Sequence, residues 1–182
     1  MARLPYINPE SEVAQRIRER RGGEIRPIDS ILLYSPAAAD GWNHLLGVLR
    51  GELDLAPDLR ELAVLRIAVH NRAEYEWQAH EGPGRAAGLT SEQLTALRRA
   101  EAGTGGPPGT FTAVQRAVLM FTDALTSRAL VPGDIFKAVQ DALTEREVVE
   151  LTLVVAAYNM VSRFVNALDI GERAPVSTEL PA

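Results

Sequence analysis

The sequence predicts an all-α protein, and three observations carry that reading. Apolar residues recur at spacings of three and four along nearly the whole 182-residue chain. No stretch alternates convincingly with period two, as a half-buried strand would. Ala and Leu are abundant, and two of the helix starts carry full capping signatures.

Taken in order, the first helix is expected over 8–21, with Asn8 as its cap, Pro9 at the first helical position and "RGG" as its stop. Its many charges make it peripheral. "RPIDSILLYSP" then gives a short helix between prolines, and "AAADGWNHLLGVLRG" a longer one ending near Gly51. In "APDLRELAVLRIAVH" the apolar residues Leu59, Leu62, Leu65, Ile67, Ala68 and Val69 cover more than one face, so this helix is expected to be buried.

Asn71 and Glu74 have the spacing of an approximate capping box, which predicts a break near His70 and a restart at Asn71. One continuous helix over 57–81 is the competing reading. Pro83, in "GPG", removes a ladder bond and predicts a kink just past His80. "LTSEQL" pairs Thr90 with Gln93, and "LTEREV" pairs Thr144 with Glu147, each with a hydrophobic staple around the cap. Between them "AGTGGPPG", 102–109, is too rich in Gly and Pro to be regular. Helices follow over 112–128, 132–143 and 144–169. The tail "GERAPVSTELPA" has little to bury.

A chain of this length can bury one core and is short for two, so one domain is expected: a peripheral N-terminal helix within 1–28, a helical core over 29–170 and a tail over 171–182. Hydrophobic residues at 46% and charged residues at 24% describe a chain that folds. The net charge of −5, with both signs interspersed, offers no footprint for a nucleic-acid backbone. The N-terminal "MARLPYINPESEVAQ" lacks the layout of a signal peptide, and no apolar run approaches the roughly 20 residues of a membrane span. A cytoplasmic protein with neither nucleic-acid nor membrane partner is expected. There is no cysteine, which excludes disulfides, thiolate ligands and thiol nucleophiles.

The chemistry concentrates in "NRAEYEWQAH", 71–80. Glu76 and His80 are four apart on one helical face, near enough for a carboxylate to orient an imidazole and raise its basicity. A structural reading stands beside this one: an exposed pair worth a few tenths of a kcal/mol, with Glu74 and Glu76 complementing a helix N-terminus. Tyr75 and Trp77 point away from His80. Glu61, His70 and His44 could join a metal site only by folding, and none has the spacing of a zinc motif, so no metal is expected. No nucleophile elbow, P-loop or dinucleotide glycine pattern is present, so the hydrolase, NTPase and Rossmann readings are dropped.

In the last helix "AAYNMVSRFVNAL" carries Tyr158 and a polar stripe of Asn159, Arg163 and Asn166 amid apolar residues. Buried polar groups need partners. The stripe therefore faces an acid such as Glu61, a small polar ligand or another subunit.

Glu61, then "LRIAV", "EYEWQAH", "AAGLT" and "AYNMVSRFVNALDI" together resemble the carboxymuconolactone decarboxylase family, which includes the alkyl hydroperoxidase D-like proteins. The likeness covers roughly 34–170. The peroxidase-like branch has a Glu, eleven residues, Cys-x-x-Cys, three residues and a His. Here Glu61 takes the Glu position, Ala73 and Glu76 the two Cys positions and His80 the His. With both thiols gone, nothing attacks a peroxide and no dithiol can be re-reduced.

The resemblance to the thiol-free branch implies a bundle of about seven to nine helices with a cofactor-independent pocket. Decarboxylation or isomerisation chemistry on a small oxygenated or anionic metabolite would follow. In it His80 acts as general acid or base, Glu76 and Glu61 orient it or relay protons, and Arg66, Arg163 and Asn159 contact the substrate. The resemblance also implies a trimer or hexamer. The alternative is a non-catalytic, oligomeric small-molecule binder of the same family, which a pocket without a positive group at His80 would favour.

Overall fold

The structure, a computed structural model, describes residues 2–171. Among them are nine α-helices and no strand: α1 (Glu12–Arg21), α2 (Pro27–Leu32), α3 (Pro36–Gly51), α4 (Pro57–His70), α5 (Glu74–Ala86), α6 (Ser91–Arg99), α7 (Ala113–Arg128), α8 (Gly133–Gln140) and α9 (Glu145–Ala167). The all-α expectation is met. The expected tail lies almost wholly outside the described residues.

The described residues gather into two compact units, one of 2–47 with 165–171 and one of 48–164. Their boundaries fall inside α3 and α9. In the first unit the helix over 12–21 starts later than the Asn-Pro pair suggested. Ser11, not Asn8, is the cap, its hydroxyl accepting from the Ala14 N–H at 3.2 Å. Asn8 instead accepts from Arg18 at 2.6 Å. Ile17, Ile28 and Ile31 are buried. Asp29 is buried too, held by Arg21 at 2.9 Å and by the Arg26 N–H at 3.3 Å, which satisfies an otherwise costly carboxylate.

The second unit is built on α4, which packs against α5, α6 and α7, while α7 packs against α8. Nine of the fourteen α4 residues are buried, so its apolar character on several faces reflects neighbours on several sides. The chain does break after His70, for a different reason than the expected capping box. Arg72 takes a left-handed φ of 53°, and the Ala73 N–H reaches back to the Ala68 carbonyl at 2.8 Å. This is a Schellman-type stop with arginine where glycine is usual. Asn71 does not cap α5, because its amide donates to Asn159 at 3.0 Å and Ser162 at 2.7 Å.

Helix α5 continues through Pro83 and ends three residues later, so the carbonyl the proline cannot serve lies in the terminal turns. The box at Thr90 and Gln93 forms as expected. So does the one at Thr144 and Glu147. One described helix, α9, is long and apolar enough to cross a membrane, with mean hydropathy 1.5 over its best window, against the expectation that no run approached that length. That is a statement of length and composition alone, and 61% of the window is buried inside the protein.

Candidate functional site

Four residues of α5 are buried, Glu76, His80 and Gly84 at successive spacings of four and Trp77 beside Glu76. Gly84 sets how near α5 comes to α4. A Cβ there would lie 3.0 Å from Leu65 Cδ1 and 3.8 Å from Glu61 Cβ. One helical turn earlier, this close approach brings His80 onto Glu61.

The imidazole Nδ1 lies 2.7 Å from Glu61 Oε2, and both side chains are under 6% exposed. This is a short hydrogen bond in a place that excludes water. The other carboxylate oxygen of Glu61 accepts from Arg60 Nε and Nη2, each at 3.2 Å. Burial alone would raise the Glu61 pKa. The hydrogen bond and charge of His80, joined by Arg60, outweigh burial and hold the carboxyl below its ordinary 4.5. Glu61 is thus a carboxylate at neutral pH. When it accepts the Nδ1–H of a neutral imidazole, the ring's lone pair lies on Nε2.

Three groups surround that nitrogen. Glu76 Oε2 is 3.8 Å away, an ion-pair distance rather than a hydrogen bond. Arg50, from the end of α3, brings Nη2 to 3.5 Å. The same guanidinium donates from Nε to the Tyr158 hydroxyl at 3.0 Å, and the tyrosine ring stands edge-on to the imidazole with centroids 5.1 Å apart. Burial lowers the Arg50 pKa, but Tyr158, Glu76 and Glu61 more than restore it, so Arg50 stays charged. Burial raises Tyr158, against the pull of Arg50, so the phenol keeps its proton. Two carboxylates and two guanidiniums leave the cluster formally neutral while His80 is uncharged. Such balance is what makes the burial of so many ionisable groups tolerable.

The structure thus brings His80, Glu61 and Glu76 together, with Glu61 rather than Glu76 holding the ring. It does not bring the three expected substrate contacts to the imidazole. Arg66 is five residues past Glu61, roughly 140° around α4. Its guanidinium is instead bidentate to Asp123 at 2.6 and 3.0 Å and donates to the Leu97 and Ala100 carbonyls. Asn159 follows Tyr158 by about 100° on α9 and so looks elsewhere. It bonds Thr126 at 2.9 Å and accepts from Asn71. Arg163 is exposed and donates to the Asn159 side chain at 2.6 Å.

The cation at the imidazole is Arg50, which the sequence reading passed over. It is one arginine in the last turn of an apolar helix, thirty residues before His80, with no motif around it. Tyr158 is visible in the sequence as a polar residue of an apolar helix, but no spacing ties it to His80, seventy-eight residues earlier. His70 bonds Ser127, His44 is exposed, and among the described residues no group of three or more His, Cys, Asp or Glu side chains is disposed to hold a metal ion. Trp77, three residues before His80 and so about 60° from it around α5, shares its buried face rather than pointing away as expected, with the Arg98 guanidinium 4.0 Å over its ring.

Fold and site together define an all-helical protein with a buried acid–base cluster and no thiol. Residues 36–118, a little under half of the chain, match the sequence model of the Carboxymuconolactone decarboxylase family. That segment, which holds Glu61, Glu76 and His80, is therefore similar in sequence to this family. Among solved structures, the alkylhydroperoxidase AhpD core protein from Ralstonia eutropha JMP134, a peroxidase-related protein, is similar at 19% identity. It has a TM-score of 0.76 over 94% of this chain and 92% of its own. A peroxidase-related protein from Silicibacter sp. TM1040 is similar at 18% identity and TM-score 0.75, over 94% of this chain and 90% of its own. The debrominase Bmp8 is similar at 16% identity and TM-score 0.68, over 89% of this chain and 84% of its own. At these identities the likeness is one of fold. Among curated proteins none matches.

Proposed function

We propose that the chain is a cofactor-independent acid–base enzyme acting on a small oxygenated or anionic metabolite, by decarboxylation or isomerisation and without thiol peroxidase activity. The observation that carries this is the buried Glu61–His80 hydrogen bond of 2.7 Å with Arg50 at the far side of the ring. Glu61 orients the imidazole through Nδ1, so Nε2 is the atom that takes a proton from substrate and returns it. Glu76 lies near enough to relay the proton or tune the ring. Arg163 or Arg66 was the positive group expected to favour catalysis over mere binding; neither lies at His80, and Arg50 there supports the catalytic reading in their place. Peroxidase chemistry fails for want of a thiolate, whatever the fold relatives do.

The proton-transfer step has a direct test. Small carbonyl acids and lactones are incubated in D₂O with the wild type and with His80→Gln, and deuterium incorporation at carbon is followed by NMR. General acid–base help of about 10² to 10⁴ in rate should vanish with the imidazole. Equal incorporation by both proteins would refute the assignment. The near-complete burial of His80, 4% exposed, favours a second reading in which the cluster binds a small molecule without turnover. In that case native mass spectrometry retains a ligand that the D₂O experiment leaves unchanged.

The same reading includes a cytoplasmic homo-oligomer, trimer or hexamer. Val149, Leu153 and Met160 support it, being exposed large apolar residues at four and seven spacing along α9. A monodisperse monomer in sedimentation at micromolar concentration would refute it.

A further inference from the structure

General acid–base help alone is too small for most enzymes, and the remainder comes from fixed donors aimed at developing charge. We infer that Arg50 and Tyr158 form an oxyanion-binding pair beside His80, and that the substrate is an enolisable carbonyl compound whose carbonyl oxygen they receive. The inference rests on the acid–base reading above and assigns the half of the site that reading leaves open.

The guanidinium of Arg50 spans two groups. Its Nε holds the Tyr158 hydroxyl at 3.0 Å and its Nη2 sits 3.5 Å from His80 Nε2. The Tyr158 oxygen accepts from Arg50, so its own proton is available to a third group. The 3.5 Å contact is long for a hydrogen bond and easily exchanged for a better acceptor. A carbon held at Nε2 therefore has its neighbouring carbonyl oxygen at Nη2, within reach of the phenol. Arg50 alone of these groups is only half-buried, the others being 1–4% exposed, so ligand entry past it disturbs least.

The step balances without a further reactant. His80 Nε2 takes the proton from the carbon next to the carbonyl, and the C–H electron pair becomes the carbon–carbon π bond. The carbonyl π pair moves to oxygen, where Arg50 N–H and Tyr158 O–H donate to it. The imidazolium then returns its proton to the same carbon or to a vinylogous one, and the carbonyl re-forms. The charged groups facing the pair are Glu61, Glu76, His80 and, behind Glu61, Arg60. The two carboxylates keep a free anion from binding strongly until the imidazole is protonated, as it is once the oxyanion exists.

The probe is 4-nitrophenol, at a pH below its own pKa, because its phenolate has a distinct absorbance and mimics an enolate oxygen. The wild type should bind it as the phenolate. Phenolate affinity should fall about 10- to 100-fold in Arg50→Gln, the loss of one hydrogen bond to a charged group, and by less in Arg50→Lys. In Tyr158→Phe, which keeps the packing, it should fall about 3- to 10-fold. Binding of the neutral phenol, no binding, or wild-type phenolate affinity in Tyr158→Phe and in both Arg50 variants would overturn the inference. Should Arg50→Gln not fold, Arg50→Lys and Tyr158→Phe decide. His80→Gln separates the two readings. Unchanged deuterium incorporation in it sinks the acid–base assignment, whereas the phenolate series reads the oxyanion pair alone.

Discussion

Replacing Arg66 with methionine tests whether this residue belongs to the core or to the site. Its guanidinium makes two bonds to Asp123, at 2.6 and 3.0 Å, and two to the Leu97 and Ala100 carbonyls, at 3.3 and 3.0 Å. Both partners of the ion pair are 3% exposed. In Arg66→Met the Asp123 carboxylate keeps one donor, the Gly103 N–H at 2.7 Å, and two carbonyls lose theirs. Breaking a buried pair in this way costs about 3–5 kcal/mol. For a chain of this size that corresponds to a fall in melting temperature of roughly 6–20 °C. The double variant Arg66→Met with Asp123→Leu should recover most of the loss, because it removes both charges together. Urea denaturation of the three proteins gives the energies, and deuterium incorporation per folded molecule gives the activity, which should stay at the wild-type level. A loss below about 1 kcal/mol, or activity lost at unchanged stability, would refute the placement of Arg66 in the core.

Two further outcomes follow from the geometry. The Glu61 carboxyl titrates below its unfolded value of 4.5, so its contribution to stability is complete above that pH and is lost as pH falls through the folded value. The stability gap between wild type and Glu61→Gln should therefore close on acidification below 4.5, and a gap that widens there would contradict the direction of the shift. Gly106 has a φ of +81°, and a Cβ on it would lie 2.5 Å from the ring of the buried Phe111. Gly106→Ala should cost about 1–3 kcal/mol in urea unfolding, and a neutral result would show that the loop accommodates a side chain there.

Local signals in the sequence were enough for the helices and several of their ends. The boxes at Thr90 and Thr144 need only residues three apart, so they are legible without knowing what the helix packs against. Reading failed where a distant partner competes for a capping side chain. Asn71 looks like a cap until Asn159 and Ser162 are found to claim its amide, and Asn8 until Arg18 does. The turn then closes through backbone bonds at Arg72, a position that advertises nothing by its residue type.

By itself the sequence determined the all-α class and the absence of thiol chemistry, for which composition and periodicity suffice, and the candidacy of Glu76 and His80, which four-residue spacing puts on one helix face; Glu61 joined them only through the family resemblance. Only the tertiary structure decided which carboxylate holds the imidazole, because Glu76 shares its helix but Glu61 meets it across the α4–α5 contact that Gly84 permits. It alone also decided the cation. Arg66, Arg163 and Arg50 are alike as letters, and what separates them is the direction each helix turns its side chain. Arg66 is turned to Asp123, Arg163 to Asn159, and Arg50 to the tyrosine and the imidazole.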